Sequence, residues 1–432
     1  MFAFTTNNQP PSYFNAALWL VSASVIALGF YLLLWHPNAL AYHVQALAIT
    51  WAGFLIVSGF CKTRGFNSAL DSPWLLGAII LIFALLFRVQ VISASPFLAD
   101  DYLRYLFDGK LILAGINPYA VTPLSVPELG GADIPKADIK TIYPPLAEGL
   151  FAISSWLGGS LWHWRLLNLI PDLLGAAVFY RYLIHRRLPG HWVVLWLWNP
   201  LILKEGLHAA HLDIWTLFTV MLFVYWAEKK KLSLAALALA AAVLLKLMPL
   251  ILLPVWLMQL PNRRDRLITA GLTLGGILLG FSWFLPWHPF GNIAVFLQHI
   301  QGYGVLFKVL GQGFGVWQLD SEWIKWLLTS VGGALALYWV FILKRYQAQP
   351  TLRLLELFLL LYVFSSMGFP WYLLLVLPWV LIQGHWLWLV FIALSELVFY
   401  SYQLDRQSNL LTAAALLALL LAAYQQKVNR YV

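Results

Sequence analysis

The residues of this chain that could do chemistry concentrate in one polar stretch, residues 97–123, between long apolar runs. Only 10% of all residues are charged, yet a short part of this stretch holds three carboxylates and two cations: Asp100, Asp101, Arg104, Asp108 and Lys110. Carboxylates can accept a proton from a reacting group, and fixed cations can hold an anion. The other interpretation is an amphipathic connector whose polar face is solvated.

The periodicity of this stretch predicts a helix from about Leu98 to Leu113 that lies on the membrane surface. Three polar residues share one face of that helix: Asp101, Arg104 and Asp108. Another face collects four apolar or aromatic residues: Leu98, Tyr102, Tyr105 and Leu106. Gly115 then ends the helix, and Asn117 with Pro118 supplies a turn. This arrangement would hold the acids and the cation at the level of the lipid headgroups.

Composition indicates an all-α integral membrane protein rather than a soluble one. Of the 432 residues, 61% are apolar and 23 are Trp, and the mean hydropathy is +0.76. Apolar runs recur along nearly the whole chain and predict about 12 to 14 membrane helices for a hydrocarbon layer of ~30 Å. We interpret residues 1–432 as one membrane-embedded domain. A single cysteine, Cys61, excludes an internal disulfide framework.

The net charge of +9 is explained by short basic loops between spans rather than by a nucleic-acid partner. Lys62 and Arg64 follow the second predicted span, whereas the loop before that span carries neither Lys nor Arg. The positive-inside rule therefore predicts a cytoplasmic N-terminus and a main extracytoplasmic loop at residues 93–145. It predicts a second outer loop at residues 287–322. Residues 146–158 are too short to cross comfortably, and we expect them only to dip into the membrane.

This topology brings distant polar segments to the outer side that holds Asp100 and Asp101. These segments are two hairpin tips and one turn: residues 204–213, 246–249 and 368–372. A charged group near hydrocarbon costs roughly 2.5–3.5 kcal/mol and therefore needs a partner or a function. We expect Arg88 to reach the outer interface by snorkelling, and Arg165 and Asp172 to pair with neighbouring helices.

Two of these segments carry groups suited to binding. His208 and His211 are predicted one turn apart on one helix face, with Asp213 following. Substrate hydrogen bonding, interfacial packing and zinc ligation are open for them, although zinc lacks a clear third ligand. Lys246 is a lone cation among leucines before Pro249, where it can meet a lipid phosphate or snorkel.

A series of motifs resembles the bacterial GT-C membrane glycosyltransferases, in particular the polyprenyl-phosphate-mannose-dependent mannosyltransferases. The first-loop motif is the most specific: DDYLRY at 100–105, DG at 108–109, GINPY at 115–119 and YPPL at 143–146. Weaker matches follow in the family's order: Asn199-Pro200, Glu205, His211 with Asp213, Lys246 with Pro249, and Pro370-Trp371-Tyr372. The resemblance covers residues 100–372. The two spans before the motif depart from the family's simplest plan, in which one helix precedes the loop.

The resemblance implies an inverting transferase that takes a sugar, best known as mannose, from a polyprenyl-phosphate donor on the outer face of the membrane. It implies Asp101 as general base, with Asp100 as the second choice. Cations would stabilise the phosphate leaving group: Arg104, Lys246 and Lys204. The other implied substrate contacts are Tyr105, Asp108, Asn117, Tyr119, Tyr143, Glu205, His208, His211, Asp213, Trp371 and Tyr372.

The implied partners are the lipid-linked sugar donor, membrane lipid and an acceptor that is a glycan, a glycolipid or a protein, with no nucleic acid. No cofactor is required by these residues, and a divalent cation stays open because the family's metal dependence varies. The expected location is the cytoplasmic (inner) membrane, with the active site facing the extracytoplasmic side. No Gly-rich nucleotide loop is evident, which agrees with a lipid-linked donor.

Three other classes of membrane protein compete with this interpretation. The acid-rich first loop makes one of them, a purely structural membrane subunit, less attractive. A transporter or flippase of lipid-linked sugars would spread polar residues through the bilayer depth, often with inverted repeats, whereas here they gather at one leaflet. A surface-polysaccharide polymerase or ligase would be expected to use arginines in a late outer loop. Residues 287–322 contain no arginine.

Overall fold

The computed structural model of this chain is built of helices and their connections. It describes residues 12–35, 40–61, 73–96, 99–290, 292–293, 295, 321–341, 350–365, 368–383, 386–402, 414–415 and 417–422. Within these ranges no residue lies in a β-strand, so the predicted all-α class is confirmed. Most of the predicted second outer loop, residues 287–322, lies outside the described residues.

The helices of the first half surround the main polar loop. Their bounds are α1 Ser12–Trp35, α2 Leu40–Phe60, α3 Pro73–Ser93, α4 Asp101–Leu113, α5 Pro145–Trp156, α6 Leu161–His185 and α7 Val194–Leu197. A π-helix, Ile202–His208, follows α7. The later helices are α8 Asp213–Glu228, α9 Leu232–Leu245, α10 Leu252–Gln259, α11 Arg263–Ser282, α12 Ser321–Phe341, α13 Pro350–Phe364, α14 Leu377–Gln383 and α15 Trp386–Tyr402.

Three helices in the described part of the chain are long and apolar enough to cross a membrane. They contain Tyr42–Gly59 in α2, Trp74–Ser93 in α3 and Leu161–His185, which is α6. Shorter apolar helices include Leu232–Leu245 and Trp386–Tyr400. Buried side chains of α1, α2, α3, α6 and α8 belong to one continuous apolar core. The chain is an integral membrane protein.

Helix α4 lies against α5 and begins later than the sequence predicts. Asp100 has non-helical backbone angles (φ −123°, ψ −8°), so the first turn starts at Asp101 rather than near Leu98. Gly109 allows the close approach of the two helices, because a Cβ there would collide with the Phe151 carbonyl. Tyr105 stacks on the Phe151 ring with 4.6 Å between centroids. Helix α5 has 12 residues, or about 18 Å, and is too short to cross the hydrocarbon layer.

Two of the three residues on the polar face of α4, Arg104 and Asp108, are buried, which argues against a connector with a solvated face. Arg104 Nε lies 2.8 and 2.9 Å from the two carboxylate oxygens of Asp108, one turn along the helix. Asp108 is fully buried. Arg104 Nη1 also donates to the carbonyl of Ile139, at 2.7 Å. The outer loop therefore folds back over α4 and covers the ion pair.

Two arginines inside the helix bundle have their partners within the protein. Arg88 forms a two-pronged ion pair with Asp172, at 2.7 and 3.0 Å. Since Arg88 is 4% exposed, the expectation that it snorkels to the interface is wrong. Arg165 donates to the carbonyls of Ile92 and Ala94 at the end of α3, and to that of His208. A cation is favourable at a helix C-terminus, where carbonyls lack partners.

The connection from the π-helix to α8 turns at Ala210, which has a left-handed φ of +59°. The π-helix ends at His208, so His208 and His211 do not share a helix face. That prediction is wrong. The His208 ring lies 5.8 Å from the His43 ring inside the bundle. The His211 ring instead stacks on Trp371, with 3.9 Å between centroids.

Candidate active site

A cavity of about 1000 Å³ opens where helix ends from distant parts of the chain meet. Some residues of each of the segments 99–105, 135–144, 212–213, 245–248, 326–333, 361–365 and 369–372 line it, together with Ile293 and Phe399. The hairpin tips and the turn that the topology predicts on one side of the membrane thus meet Asp100 and Asp101. The convergence expected from the sequence is present in the structure.

The two aspartates at the start of α4 differ in their surroundings. Asp100 keeps a good part of its surface exposed. The part that is buried, together with the negative charge of Asp101, raises the pKa of Asp100. The Asp101 side chain is 39% exposed. Burial by itself would raise the pKa of Asp101, but the His211 ring and then the Lys136 and Lys246 ammonium groups lower it below its usual value. The lowered pKa keeps Asp101 ionised at the cavity.

His211 lies directly behind Asp101. Its Nδ1 is 3.6 Å from Asp101 Oδ2, and its Nε2 is 3.2 Å from Glu205 Oε2. Burial would lower the pKa of His211, but the two neighbouring carboxylates raise it to about 9. The ring is therefore a buried cation at neutral pH, between two anions.

Glu205 and Lys204 lie behind His211, within the protein. Tyr400 donates to Glu205 Oε1 at 3.0 Å, and Lys204 Nζ donates to the Tyr400 hydroxyl at 2.7 Å. The side chains of Lys204 and Glu205 are fully buried, and neither lines the cavity. In this structure Lys204 is therefore out of reach of a donor phosphate bound in the cavity, although the sequence predicts that contact.

Lys246 reaches the cavity because α9 ends just before it. Lys246 has extended backbone (φ −154°, ψ 133°), and Pro249 starts the next short helix. Its Nζ lies 2.5 Å from Asp213 Oδ1 and 4.0 Å from the centre of the Tyr372 ring. Its side chain is 24% exposed. Lys246, Asp213 and Tyr372 thus form one charged and aromatic patch on the cavity wall.

Arg104 is the third predicted cation, and it lines the cavity beside Asp101. Asp108 and the Ile139 carbonyl occupy two of its nitrogens, whereas Nη2 has no hydrogen-bond partner among the described residues. Two further lysines, Lys136 and Lys140, line the same cavity. Sequence reasoning missed both, although their i,i+4 spacing inside the main outer loop was a usable signal.

The other predicted contacts divide into cavity residues and loop supports. Tyr105, Tyr143 and Trp371 line the cavity. Asn117 Oδ1 accepts from the backbone N–H of Tyr119, and the Tyr119 hydroxyl donates to the Tyr143 carbonyl at 2.5 Å. Three predicted residues of α4 and the loop after it are absent from the lining: Asp108, Asn117 and Tyr119. They hold the outer loop in place over α4.

Metal ligation is the one cofactor chemistry that the sequence leaves open. Across the described ranges, no group of three His, Cys, Asp or Glu side chains has a geometry that could hold a metal ion. The divalent cation stays a prediction. The cavity offers an ionised carboxylate that can accept a proton and several cations that can bind an anion.

Comparisons with known proteins place this geometry in context. Residues 19–262, more than half of the chain, match the family model described as alpha-(1->6)-mannopyranosyltransferase, N-terminal domain. The crystal structure of ArnT from Cupriavidus metallidurans bound to undecaprenyl phosphate is 14% identical in sequence, with a TM-score of 0.46. That alignment covers 81% of this chain and 75% of ArnT. A comparison with curated protein sequences gives no match.

Proposed function

Because this chain belongs to the alpha-(1->6)-mannopyranosyltransferase family, we propose that it transfers mannose from a polyprenyl-phosphate donor to an acceptor hydroxyl in this cavity. The family description supports mannose as the sugar and the 6-hydroxyl of a mannoside as the acceptor group. Such a mannoside can be part of a glycan, a glycolipid or a glycoprotein. The chain is a glycosyltransferase, and Asp101 is its general base.

The reaction is a single displacement. The acceptor hydroxyl gives its proton to the Asp101 carboxylate while its oxygen bonds to the anomeric carbon. The bond from that carbon to the phosphate oxygen breaks, and its electron pair leaves with the polyprenyl phosphate. Attack opposite the leaving group inverts the anomeric centre. An alpha-linked product therefore requires a β-linked donor.

The observation that carries this proposal is the presence of an ionised carboxylate and several cationic groups in a single cavity. Asp101 is partly exposed to the cavity, whereas Asp108 is completely buried beside Arg104. A phosphate oxygen is a fitting partner for the Arg104 amino group, which has none among the described residues. Lys140 and Lys246, which also line the cavity, add positive charge for the leaving phosphate.

A lipid donor is supported by the apolar side of the cavity between α12 and α13. That side is lined by Trp326, Gly332, Gly333, Leu361 and Phe364. Trp326 is 52% exposed in the isolated chain, as expected for a side chain that faces lipid. Gly333 has open space where a Cβ would stand. A prenyl chain is the apolar group that this side of the cavity suits.

The outer face of the cytoplasmic membrane is the location we propose for the reaction. Helices α6 and α8 run from the cavity to the opposite side, where Arg186 pairs with Glu228 at 2.5 Å. The basic residues at that end include Arg187 and Lys229–Lys231. Cations flanking membrane helices favour the cytoplasmic side, which leaves the cavity on the outer side.

Transfer of radiolabelled sugar from a panel of polyprenyl-phosphate sugars tests the proposal. The purified protein is supplied with mannosides that have a free 6-hydroxyl, and the variants are Asp101→Asn and Asp138→Asn. Asp138 is an exposed carboxylate of the same loop, outside the cavity, and serves as the matched control. We expect transfer of mannose by wild type and by Asp138→Asn, and a loss of about 10²- to 10⁴-fold for Asp101→Asn.

Two results would overturn parts of this proposal. Normal transfer by Asp101→Asn would exclude this residue as the base. Wild-type transfer of another sugar, or of no sugar to any mannoside, would overturn the substrate assignment.

A further inference from the structure

The rings and backbone around His211 restrict the position of its ring. The ring is 2% exposed and stacks on Trp371 at an interplanar angle of 19°. Trp371 in turn stacks on Phe369, with 4.6 Å between centroids. The backbone N–H of His211 donates to the Glu205 carbonyl at 2.9 Å. Each ring nitrogen then lies close to one carboxylate.

Charges of alternating sign extend from the cavity wall into the protein. Asp101 faces the cavity, His211 lies 3.6 Å behind it, and Glu205 lies 3.2 Å behind His211. Lys204 follows, 3.7 Å from Glu205 and 2.7 Å from the Tyr400 hydroxyl. In a buried site, each charge of such a series stabilises its neighbours of opposite sign.

Three readings of His211 are available in this arrangement. As a substrate hydrogen-bond donor it would need access to the cavity, but His211 is not among the lining residues. As a packing residue it would not need a carboxylate at each nitrogen. Its contacts therefore favour a role that acts through Asp101.

We propose that His211 is a positioning residue of the transfer reaction, a positively charged ring that orients the Asp101 carboxylate at the cavity wall and is anchored by Glu205. This inference rests on the proposed function, in which Asp101 is the base. A base that is held by a second group, itself held by a third, keeps the geometry that proton transfer requires.

The charge on His211 depends on every titratable group that faces it or its two carboxylate partners. These groups are His43, Asp100, Asp101, Tyr105, Lys136, Tyr143, Lys204, Glu205, Lys246, Tyr362, Tyr372, Glu396 and Tyr400. Against the effect of burial, Asp101 and Glu205 raise the pKa of His211 to about 9. The ring is charged below that pH and becomes neutral as the pH rises through it.

Loss of the ring has a definite consequence for Asp101. Without the adjacent cation, burial raises the pKa of the Asp101 carboxyl, which must be ionised to act as base. An opposite charge within about 4–6 Å lowers a carboxyl pKa by about 1 to 3 units. Because Asp101 is 39% exposed, the lower end of that range applies.

Steady-state transfer from pH 5 to pH 10 tests the inference with His211→Gln, His211→Arg and, as control, the exposed His185→Gln. For His211→Gln we expect kcat to fall about 100-fold, and the acidic limb of the profile to move up by about 1 pH unit. The KM for donor should change little. His211→Arg keeps the charge, so it should retain the acidic limb and lose the alkaline limb that we expect for wild type near pH 9.

A double variant separates positioning from a general loss of structure. If His211 acts through Asp101, then Asp101→Asn with His211→Gln should be no slower than Asp101→Asn alone. Additive losses, or an unmoved acidic limb in His211→Gln, would overturn the inference.

The charge on the ring can be measured without any enzyme activity. In protein with isotope-labelled histidine, the resonance that disappears in His211→Gln should titrate near pH 9 and at lower pH in Asp101→Asn. A midpoint at or below about 6.5 would overturn the inference whatever the transfer assay gives. Absence of wild-type transfer together with a midpoint near 9 would instead locate the failure in the proposed function.

Discussion

Two buried arginine–aspartate pairs in this protein use the same chemistry for different ends. In the helix bundle, every guanidinium nitrogen of Arg88 has a partner: the two Asp172 oxygens and the carbonyls of Ala84 and Leu197. At the cavity, Arg104 pairs with Asp108 and the Ile139 carbonyl. Its Nη2 has no partner among the described residues.

The two arginines differ in how many of their nitrogens have hydrogen-bond partners, and not in how deeply they are buried. Arg88 is 4% exposed and Arg104 is 8% exposed, so burial alone does not separate them. An unsatisfied donor in a buried charged group is costly and calls for an explanation. The comparison indicates that Arg88 serves the fold, whereas Arg104 keeps one nitrogen for the phosphate contact that we propose.

The largest effect on stability is expected from Arg88→Met, which removes the cation of the Arg88–Asp172 ion pair. Asp172 would stay buried without its cation, and removing one partner of a buried pair costs about 3–5 kcal/mol. We expect a lower yield of folded protein and a lower unfolding temperature in detergent. The double change Arg88→Met with Asp172→Leu should recover much of that stability, because it leaves no unpaired charge. A double variant as unstable as the single one would contradict this account of the pair.

Arg104→Lys should lower stability less than Arg88→Met does, and should weaken substrate binding more. An ammonium group keeps the charge beside Asp108 but cannot also reach the Ile139 carbonyl and leave an N–H for a phosphate. We expect a loss of about 1–3 kcal/mol in the free energy of unfolding and a rise of about 10-fold in KM for the lipid donor. An unchanged KM for donor would mean that Arg104, like Arg88, serves the fold alone.

The smallest effect is expected from Lys140→Gln, which removes a cation at the cavity edge without breaking a buried pair. Since such a charge acts partly through solvent, we expect KM for donor to rise about 2- to 5-fold at low salt. The difference should shrink as salt is added. Lys110→Gln, an exposed residue on α4 outside the cavity, is the matched control. Equal effects of the two changes would indicate non-specific attraction of the anionic donor.

Much of the fold follows from sequence pattern because hydrophobic length and turn chemistry are local properties. A helix through residues 101–113 lies where the sequence predicts one, and Lys246, as predicted, stands before a helix break at Pro249. The helix start was placed three residues early, since Asp100 takes the non-helical position before the first turn. The shared face of His208 and His211 was wrong because α-helical periodicity was assumed across a π-helix and a left-handed turn at Ala210.

The sequence by itself determined the membrane class, the concentration of charge at residues 97–123 and the motif that includes Asp101 and Arg104. Those features depend on composition and on spacing along the chain. Only the tertiary structure decided the partners of each charge. Arg88 pairs with Asp172, Lys204 lies buried beside Glu205, and His211 lies between Asp101 and Glu205. The reason is physical: the energy of a charge depends on distances of a few ångströms, and packing between helices fixes those distances.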